Sequence, residues 1–123
     1  MNLEFLNYSS DIRGIILFCK YGHLSINFLE TKKGFLRGGH YHEFPTTHFL
    51  IKGKVLFKTL DIKSNYEQNK EYFAPCEIPV LSYMPHLLTA LEDCIFIEFF
   101  DREYSAIEYP LYRKLIDHQI QNK

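Results

Sequence analysis

The stretch "GFLRGGHYHEFPTTHFLIKG", residues 34 to 53, holds three of the chain's six histidines, all within nine positions. They are His40, His42 and His48, between a pair of glycines and an apolar run. In an extended strand His40 and His42 would point to the same face, because side chains alternate between faces. Their Cα atoms would then lie roughly 6 to 7 Å apart. Such a pair can converge on one metal ion, or it can lie exposed on an edge strand.

The rest of the composition is that of one folded domain. The chain has 123 residues, with eleven Phe, nine Tyr and no Trp, which is enough to bury a core. A formal net charge of -1 argues against a broad basic surface for nucleic acid. Neither a signal peptide nor a membrane-spanning run is visible. We expect a cytoplasmic protein with one domain over residues 1–123 and no nucleic-acid or membrane partner.

The three cysteines give no sign of a disulfide framework or a cysteine metal site. Cys19, Cys76 and Cys94 are odd in number, far apart in sequence and outside any CxxC pair. Free cysteines usually pack as small apolar side chains. We expect that role for all three.

Short apolar, β-branched and aromatic runs separated by turn residues predict an all-β fold. The spacing of these runs, roughly eight to twelve residues for each strand and turn, is typical of a sandwich or barrel. The most polar stretch, residues 63–71, is predicted to be a surface loop. The predicted strands are residues 14–19, 24–30, 47–53, 54–62, 72–75, 79–83, 86–91 and 94–100.

One segment near the C-terminus has a helical pattern. Pro110 suits the first position of a helix, and the predicted helix covers about residues 110–121. Leu111, Leu115 and His118 share one stripe, and a second apolar set lies beside it: Tyr112, Ile116 and Ile120. Such a stripe most often packs on the rest of the domain or on a partner subunit.

The spacing around the histidines resembles the first motif of the cupin superfamily. Gly34 is followed by five residues, then His40 and His42, and Gly53 closes the motif at the expected interval. His86, preceded by a proline, lies where the second cupin motif has its histidine. The resemblance implies a double-stranded β-helix, a jelly-roll barrel over about residues 10–101, with a short helix after it.

The resemblance also implies a metal site, with two departures from the family pattern. In a cupin barrel, His40, His42 and His86 would surround one centre. Thr46 occupies the position of the usual ligand glutamate, and Ala90 occupies that of the usual asparagine. Imidazole ligands without a carboxylate indicate zinc, iron, nickel or manganese rather than magnesium or calcium.

His48 lies two residues beyond Thr46 and so shares its face of the strand. It could serve as a fourth metal ligand or act as a base one layer away. Glu43 would point to the opposite face and is predicted to be a solvated surface acid. His23 and His118 have no partners in sequence and are expected at the surface or in packing roles.

Within the cupins, the chain looks most like the small domains of surface-polysaccharide biosynthesis enzymes, including sugar-nucleotide ketoisomerases and epimerases. That implies an isomerase or epimerase acting on a keto-sugar nucleotide. His48 would carry the proton, Tyr83 or Tyr41 would be the acid, and Arg37 would meet a diphosphate. Two alternatives stay open: a mononuclear iron dioxygenase, and a non-catalytic cupin that binds a small molecule. Cupins of this size commonly pair, so we expect a homodimer.

Overall fold

A computed structural model describes residues 1–121, and in this part of the chain two antiparallel sheets and one helix account for the regular structure. The elements are β1 (Leu3–Asp11), β2 (Gly14–Tyr21), β3 (Leu24–Thr31), β4 (Leu36–Tyr41), β5 (Thr46–Lys52), β6 (Lys54–Asp61), β7 (Tyr66–Phe73), β8 (Cys76–Val80), β9 (His86–Ala90), β10 (Cys94–Phe100), β11 (Ile107–Glu108) and α1 (Pro110–Gln121). One sheet has the order β1-β2-β3-β10-β5-β8 and the other β11-β4-β9-β6-β7. The predicted all-β jelly-roll barrel with a C-terminal helix is confirmed.

An apolar core lies between the two sheets, because alternate residues of each strand point inward. Leu50 of β5, Val55 of β6 and Ile78 of β8 are completely buried there. Each such side chain contributes about 1.5–3 kcal/mol through its removal from water. We call the whole group the apolar cluster: Leu29, Leu50, Val55, Phe57, Ile78, Val80, Leu88, Ala90, Cys94 and Phe96.

Helix α1 packs on the outside of the second sheet and contacts β4. Its buried residues are Tyr112 and Ile116, which join Leu87 in a separate small core. The predicted contact stripe is therefore shifted by one residue, since Leu111 and Leu115 are exposed. Among residues 1–121, no helix is both long enough and apolar enough to cross a bilayer.

The sequence pattern did not predict β1 or the short β11, and it predicted most of β7 as a loop. Strand β1 pairs with β2 at the edge of the six-stranded sheet, and nearly all its side chains are exposed. Strand β7 pairs with β6 along its whole length, which corrects the prediction of a loop over residues 63–71. Both faces of β7 carry mostly exposed polar side chains, so it lacks the alternation that identifies a strand.

The cysteines behave as expected from their spacing. Cys19 and Cys94 are buried, Cys76 is half-buried, and all three are free thiols. Burial raises the pKa of Cys94 to about 11, with help from the nearby charge of Asp93. This thiol therefore stays protonated and packs as an apolar group in the core.

Candidate metal centre and adjoining cavity

Strands β4 and β9 bring the two histidine motifs together. The strands are antiparallel neighbours, and His40 lies opposite His86 in their register. The register shifts between Gly38 and His40, where Gly38 and Gly39 have φ values of 100° and 75°. A Cβ at Gly38 would lie 2.7 Å from the His86 carbonyl oxygen, so only glycine lets the strands approach this closely.

The second glycine of the pair serves the helix instead. A Cβ at Gly39 would lie 3.0 Å from Cδ1 of Ile116 and 3.1 Å from Cα of Arg113. The backbone of β4 is therefore pressed between β9 on one side and α1 on the other. The two glycines before His40 allow this arrangement, which fixes the strand that carries the histidines.

His40, His42 and His86 form one group, which we call the histidine cluster. One ring nitrogen from each can be chosen so that all three lie within 4.8 Å of one another. Burial lowers the pKa of all three imidazoles, that of His40 to about 4. They are therefore neutral near pH 7, which is the form that binds metal.

Hydrogen bonds to two rings of the cluster leave the Nε2 nitrogen of each free. The Nδ1 of His42 lies 2.7 Å from the carbonyl oxygen of Ser105, and that of His86 lies 3.2 Å from the carbonyl oxygen of Met84. Donation from Nδ1–H to a carbonyl fixes the tautomer and leaves a lone pair on Nε2. Among residues 1–121, no group hydrogen-bonds the buried Nε2 of any of the three. The donor set thus fits a transition-metal ion, and the three histidines could bind one.

His48 lies beside the histidine cluster but is not part of it. Its Nε2 is 2.9 Å from Oε2 of Glu98, and both side chains are buried. Its ring centre lies 6.0 Å from that of His86, and its Nδ1 has no partner in the described part of the chain. The structure thus pairs His48 with a carboxylate, an arrangement that suits a base better than a fourth ligand.

Glu98 was missed by the sequence reasoning, although a signal was present. In β10 the inward side carries Cys94, Phe96, Glu98 and Phe100, so a single acid interrupts an apolar face. Burial raises the pKa of Glu98, whereas the hydrogen bond from His48 and the neighbouring imidazoles lower it. The lowering is larger, and the pKa of Glu98 is about 2. Glu98 is therefore a buried carboxylate at neutral pH. Its pairing with His48 follows from the register of β5 and β10, where the two residues are directly opposite.

His40, His48 and His86 line a cavity of about 140 Å³ inside the barrel. The walls combine charged and apolar side chains from both sheets and from α1. The lining residues are Arg13, Ile16, Phe18, Leu29, Arg37, Gly38, His40, His48, Phe57, His86, Leu88, Phe96, Glu98, Tyr104 and Arg113.

Of two further predicted site residues, one lies in the cavity wall and the other lies outside it. Arg37 lines the cavity and is only 5% exposed. Tyr83 lies in the loop before β9, is 57% exposed and does not line the cavity. Its φ of 58° and the hydrogen bond from its N–H to the carbonyl of His42 belong to a tight turn that leaves the ring outside. The structure therefore does not bring Tyr83 to the site; Glu43 is exposed, as predicted.

Tyr104 is the tyrosine that the cavity contains. It lies in the irregular segment after β10, in ring contact with Phe100 and His42 at centre distances of 5.1 and 5.9 Å. Burial raises its pKa, so the hydroxyl is protonated at neutral pH. No sequence pattern distinguished Tyr104, because it belongs to no strand or helix.

The fold and the histidine cluster together define a cupin-type barrel with a potential metal site. No protein-family model and no curated protein matches the sequence. Among solved structures, a deletion mutant of Bacillus subtilis oxalate decarboxylase OxdC has a TM-score of 0.75 at 18% identity, over 83% of this chain and 29% of that chain. CapF with the inhibitor 3-isopropenyl-tropolone has a TM-score of 0.70 at 15% identity, over 80% of this chain and 31% of that chain.

A further structure of Bacillus subtilis oxalate decarboxylase, from work on its Mn(II) centres, has a TM-score of 0.72 at 17% identity, over 83% of this chain. The chain spans about 30% of the length of each of these proteins. At these identities the likeness establishes a shared cupin fold.

Proposed function

We propose that this chain is a metal-dependent enzyme that moves a proton at a carbon next to a carbonyl group. His40, His42 and His86 would hold the metal ion, and three protein ligands would leave positions open for substrate. A divalent ion held there would polarise a carbonyl oxygen and so make the adjacent C–H bond more acidic. The observation that carries the proposal is the buried His48–Glu98 pair in the cavity that the histidine cluster lines.

His48 is the proposed base. The Glu98 carboxylate accepts the hydrogen bond from Nε2–H and so leaves Nδ1 with a lone pair and no protein partner. Glu98 is a positioning residue, because it fixes the tautomer and orientation of the ring and stabilises the imidazolium once His48 has taken a proton. The protonated hydroxyl of Tyr104, rather than that of Tyr83, is the proposed proton donor in the same cavity.

The sequence resemblance to sugar-nucleotide ketoisomerases and epimerases supports an isomerisation, and the fold shared with CapF is consistent with it. In such a reaction the proton lost to Nδ1 of His48 returns to the same carbon or to its neighbour. The reaction involves no net oxidation or reduction. A cavity of about 140 Å³ can hold part of a keto sugar, while a nucleotide would have to lie outside it.

Two measurements on protein purified without a histidine tag test the proposal. Plasma mass spectrometry should find close to one zinc, iron, nickel or manganese ion per chain, and His42→Ala should lose it. In D₂O, ¹H NMR should show that the metal-loaded protein exchanges the α-protons of pyruvate or of a nucleotide-linked 4-keto sugar. His48→Gln should abolish this exchange without changing the metal content.

The Glu98→Gln variant tests whether Glu98 orients His48 for proton transfer or only stabilises the fold. The exchange should slow by roughly tenfold to a hundredfold, the range typical of lost outer-layer hydrogen bonds at such sites. Its pH profile should also shift, because the imidazolium loses its carboxylate. Glu98→Asp should restore part of the rate. Metal binding with no exchange of any probe would contradict the proposed reaction.

An oxygenase is the second candidate, favoured by the apolar part of the cavity wall. Phe18, Leu29 and Phe96 face the same space as the histidines and would suit an apolar substrate beside an iron ion. Oxygen consumption by iron-loaded protein, with no proton exchange, would favour this reading. Tightly bound metal with neither activity would favour a non-catalytic binding protein.

A further inference from the structure

Arg37 is the only arginine of the cavity wall that has no carboxylate partner in the described part of the chain. Arg13 makes a bidentate contact with Asp11 at 2.7–3.1 Å. Arg113 lies 3.0 Å from Asp117 and 3.5 Å from Glu108. Within residues 1–121, no acidic group lies within 4.0 Å of the Arg37 guanidinium.

The contacts that Arg37 does make hold it in one position. Its Nε donates to Oγ1 of Thr31 at 3.1 Å, and its Nη2 donates to the carbonyl oxygen of Glu30 at 2.8 Å. Both partners are neutral, so they fix the guanidinium plane without balancing its charge. These hydrogen bonds use Nε and one Nη2 donor, and the side chain lines the cavity that His40 and His86 also line.

A buried cation with no carboxylate in direct contact is costly, because the charged form loses hydration that no ion pair replaces. Burial and the neighbouring Arg13 lower the pKa of Arg37 to about 10, although the carboxylates of Asp11 and Glu98 act in the opposite direction. Arg37 is therefore still charged at neutral pH. The acid nearest in the cavity wall, Glu98, is already engaged by His48. No carboxylate of the described residues contacts the Arg37 guanidinium directly, and an anionic ligand in the cavity would supply such a contact.

The size of the cavity limits that ligand. A water-sized group needs roughly 10–15 Å³ of such space, so 140 Å³ has room for on the order of ten non-hydrogen atoms. That space is well below the roughly 300 Å³ or more of sites for drug-sized ligands. The planar fork of arginine matches the two oxygens of a carboxylate.

We propose that the substrate of this cavity is a small carboxylic acid of about two to four carbons, with its carboxylate held by Arg37 and its carbonyl facing the histidine cluster. The inference rests on the proposed function, because it takes this cavity to be the substrate site. It narrows the substrate of the proposed proton transfer to a small acid and gives Arg37 a carboxylate instead of the diphosphate that the sequence resemblance implies.

The test compares an acid with its neutral isostere on the full-length, metal-analysed protein. Isothermal titration with pyruvate and with pyruvamide should give a binding constant at least about tenfold tighter for the acid, since a hydrogen bond to a charged group has that strength. In Arg37→Gln the ratio should fall to about one. The wild-type comparison needs no variant, so a variant that fails to fold leaves the inference testable.

Matched controls separate Arg37 from its neighbours and from the metal. Arg113→Gln removes an arginine that lines the same cavity but is already paired, and it should keep the acid-to-amide ratio of the wild type. Arg37→Lys should keep a reduced preference for the acid. A ratio near one in the wild type would overturn the inference, as would an unchanged ratio in Arg37→Gln, which would place the acid on the metal.

Phosphate and a uridine diphosphate sugar are titrated in the same way as pyruvate. Both should bind more weakly than pyruvate, and tighter binding of either one would overturn the inference in favour of a phosphate site. Metal content is measured on the same samples. Absence of metal would therefore contradict the proposed function while the acid-to-amide ratio still reports on Arg37.

Discussion

The interior of the barrel has two halves, and the same strands build both. Strand β5 contributes His48 to one half and Leu50 to the other, and β9 contributes His86 and then Leu88 and Ala90. Strand β10, which runs antiparallel to β5, contributes Phe96 opposite Leu50 and Glu98 opposite His48. We call the half with the histidines, Glu98 and Arg37 the polar half; the apolar cluster fills the other.

The two halves differ in how completely their groups are satisfied. The apolar cluster consists of close-packed side chains that require no hydrogen-bond partner. The polar half has buried atoms with no partner among residues 1–121: Nε2 of His40, His42 and His86, Nδ1 of His48 and Oγ1 of Thr46. Each such atom costs about 1–3 kcal/mol when nothing bonds to it. Burial in the apolar half therefore offsets the cost of the unpartnered polar atoms in the polar half.

The largest effect on stability should come from the apolar half. Leu50→Ala removes a completely buried side chain and should lower the free energy of unfolding by about 2–5 kcal/mol, measured by urea denaturation. Ile51→Ala is the matched control, since Ile51 is the next residue of β5 and is 53% exposed; it should change stability by about 0.5 kcal/mol or less. A cost below about 1 kcal/mol for Leu50→Ala would mean that the apolar half is loosely packed.

Acid should destabilise the metal-free protein through the polar half. The pKa of His40 is lowered from 6.5 to about 4 by burial, so in this pH window the unfolded chain binds more protons than the folded one. Stability should be full above about pH 6.5 and should fall as the pH drops toward 4, by on the order of 3 kcal/mol from His40. His42 and His86 shift in the same direction and add to the loss.

Urea denaturation at a series of pH values measures this loss, and His40→Ala should flatten the slope. The lowered pKa of Glu98 acts below the window, because that carboxylate loses its contribution only under about pH 4.5. A stability that stays constant across the window would contradict the buried, neutral state of the cluster.

A smaller effect should appear at the start of β5, at the end of the polar half that is farthest from Leu50. Thr46→Val replaces a buried hydroxyl that has no described partner with a methyl group of similar size, and it should stabilise the protein by about 1 kcal/mol in thermal denaturation. Thr47→Val, one residue along β5 and half-buried, is the control and should have little effect. Loss of stability in Thr46→Val would show that a bound water or ligand pairs the hydroxyl.

The smallest effect should come from a residue that belongs to neither half. Tyr83→Phe should leave metal content, proton exchange and stability unchanged within about 0.5 kcal/mol, because the ring is exposed and outside the cavity. Tyr104→Phe, the comparison variant, should slow the exchange without loss of metal. Slower exchange in Tyr83→Phe would show that the Tyr83 hydroxyl takes part in the reaction.

Local patterns in the sequence predicted the strands that have one apolar face, but not all strands. β10 was predicted with its observed bounds, whereas β1 and β7 were missed because their side chains are mostly exposed on both faces. The predicted contact face of α1 was wrong by one residue: Tyr112 and Ile116 are buried, rather than Leu111 and Leu115. Apolar residues are adjacent on this helix, and only the position of the sheet decides which of them face it.

The sequence by itself predicted that His40 and His42 lie together, because side chains alternate along an extended segment, although β4 ends at Tyr41, one residue before His42. The cupin-like spacing added His86 and predicted the barrel. Only the tertiary structure decided which partners these residues have. Glu98 reaches His48 across fifty positions, and Arg37 lacks a described carboxylate while Arg13 and Arg113 each have one. Such pairings depend on strand register and on burial, and both arise from contacts between segments that are distant in sequence.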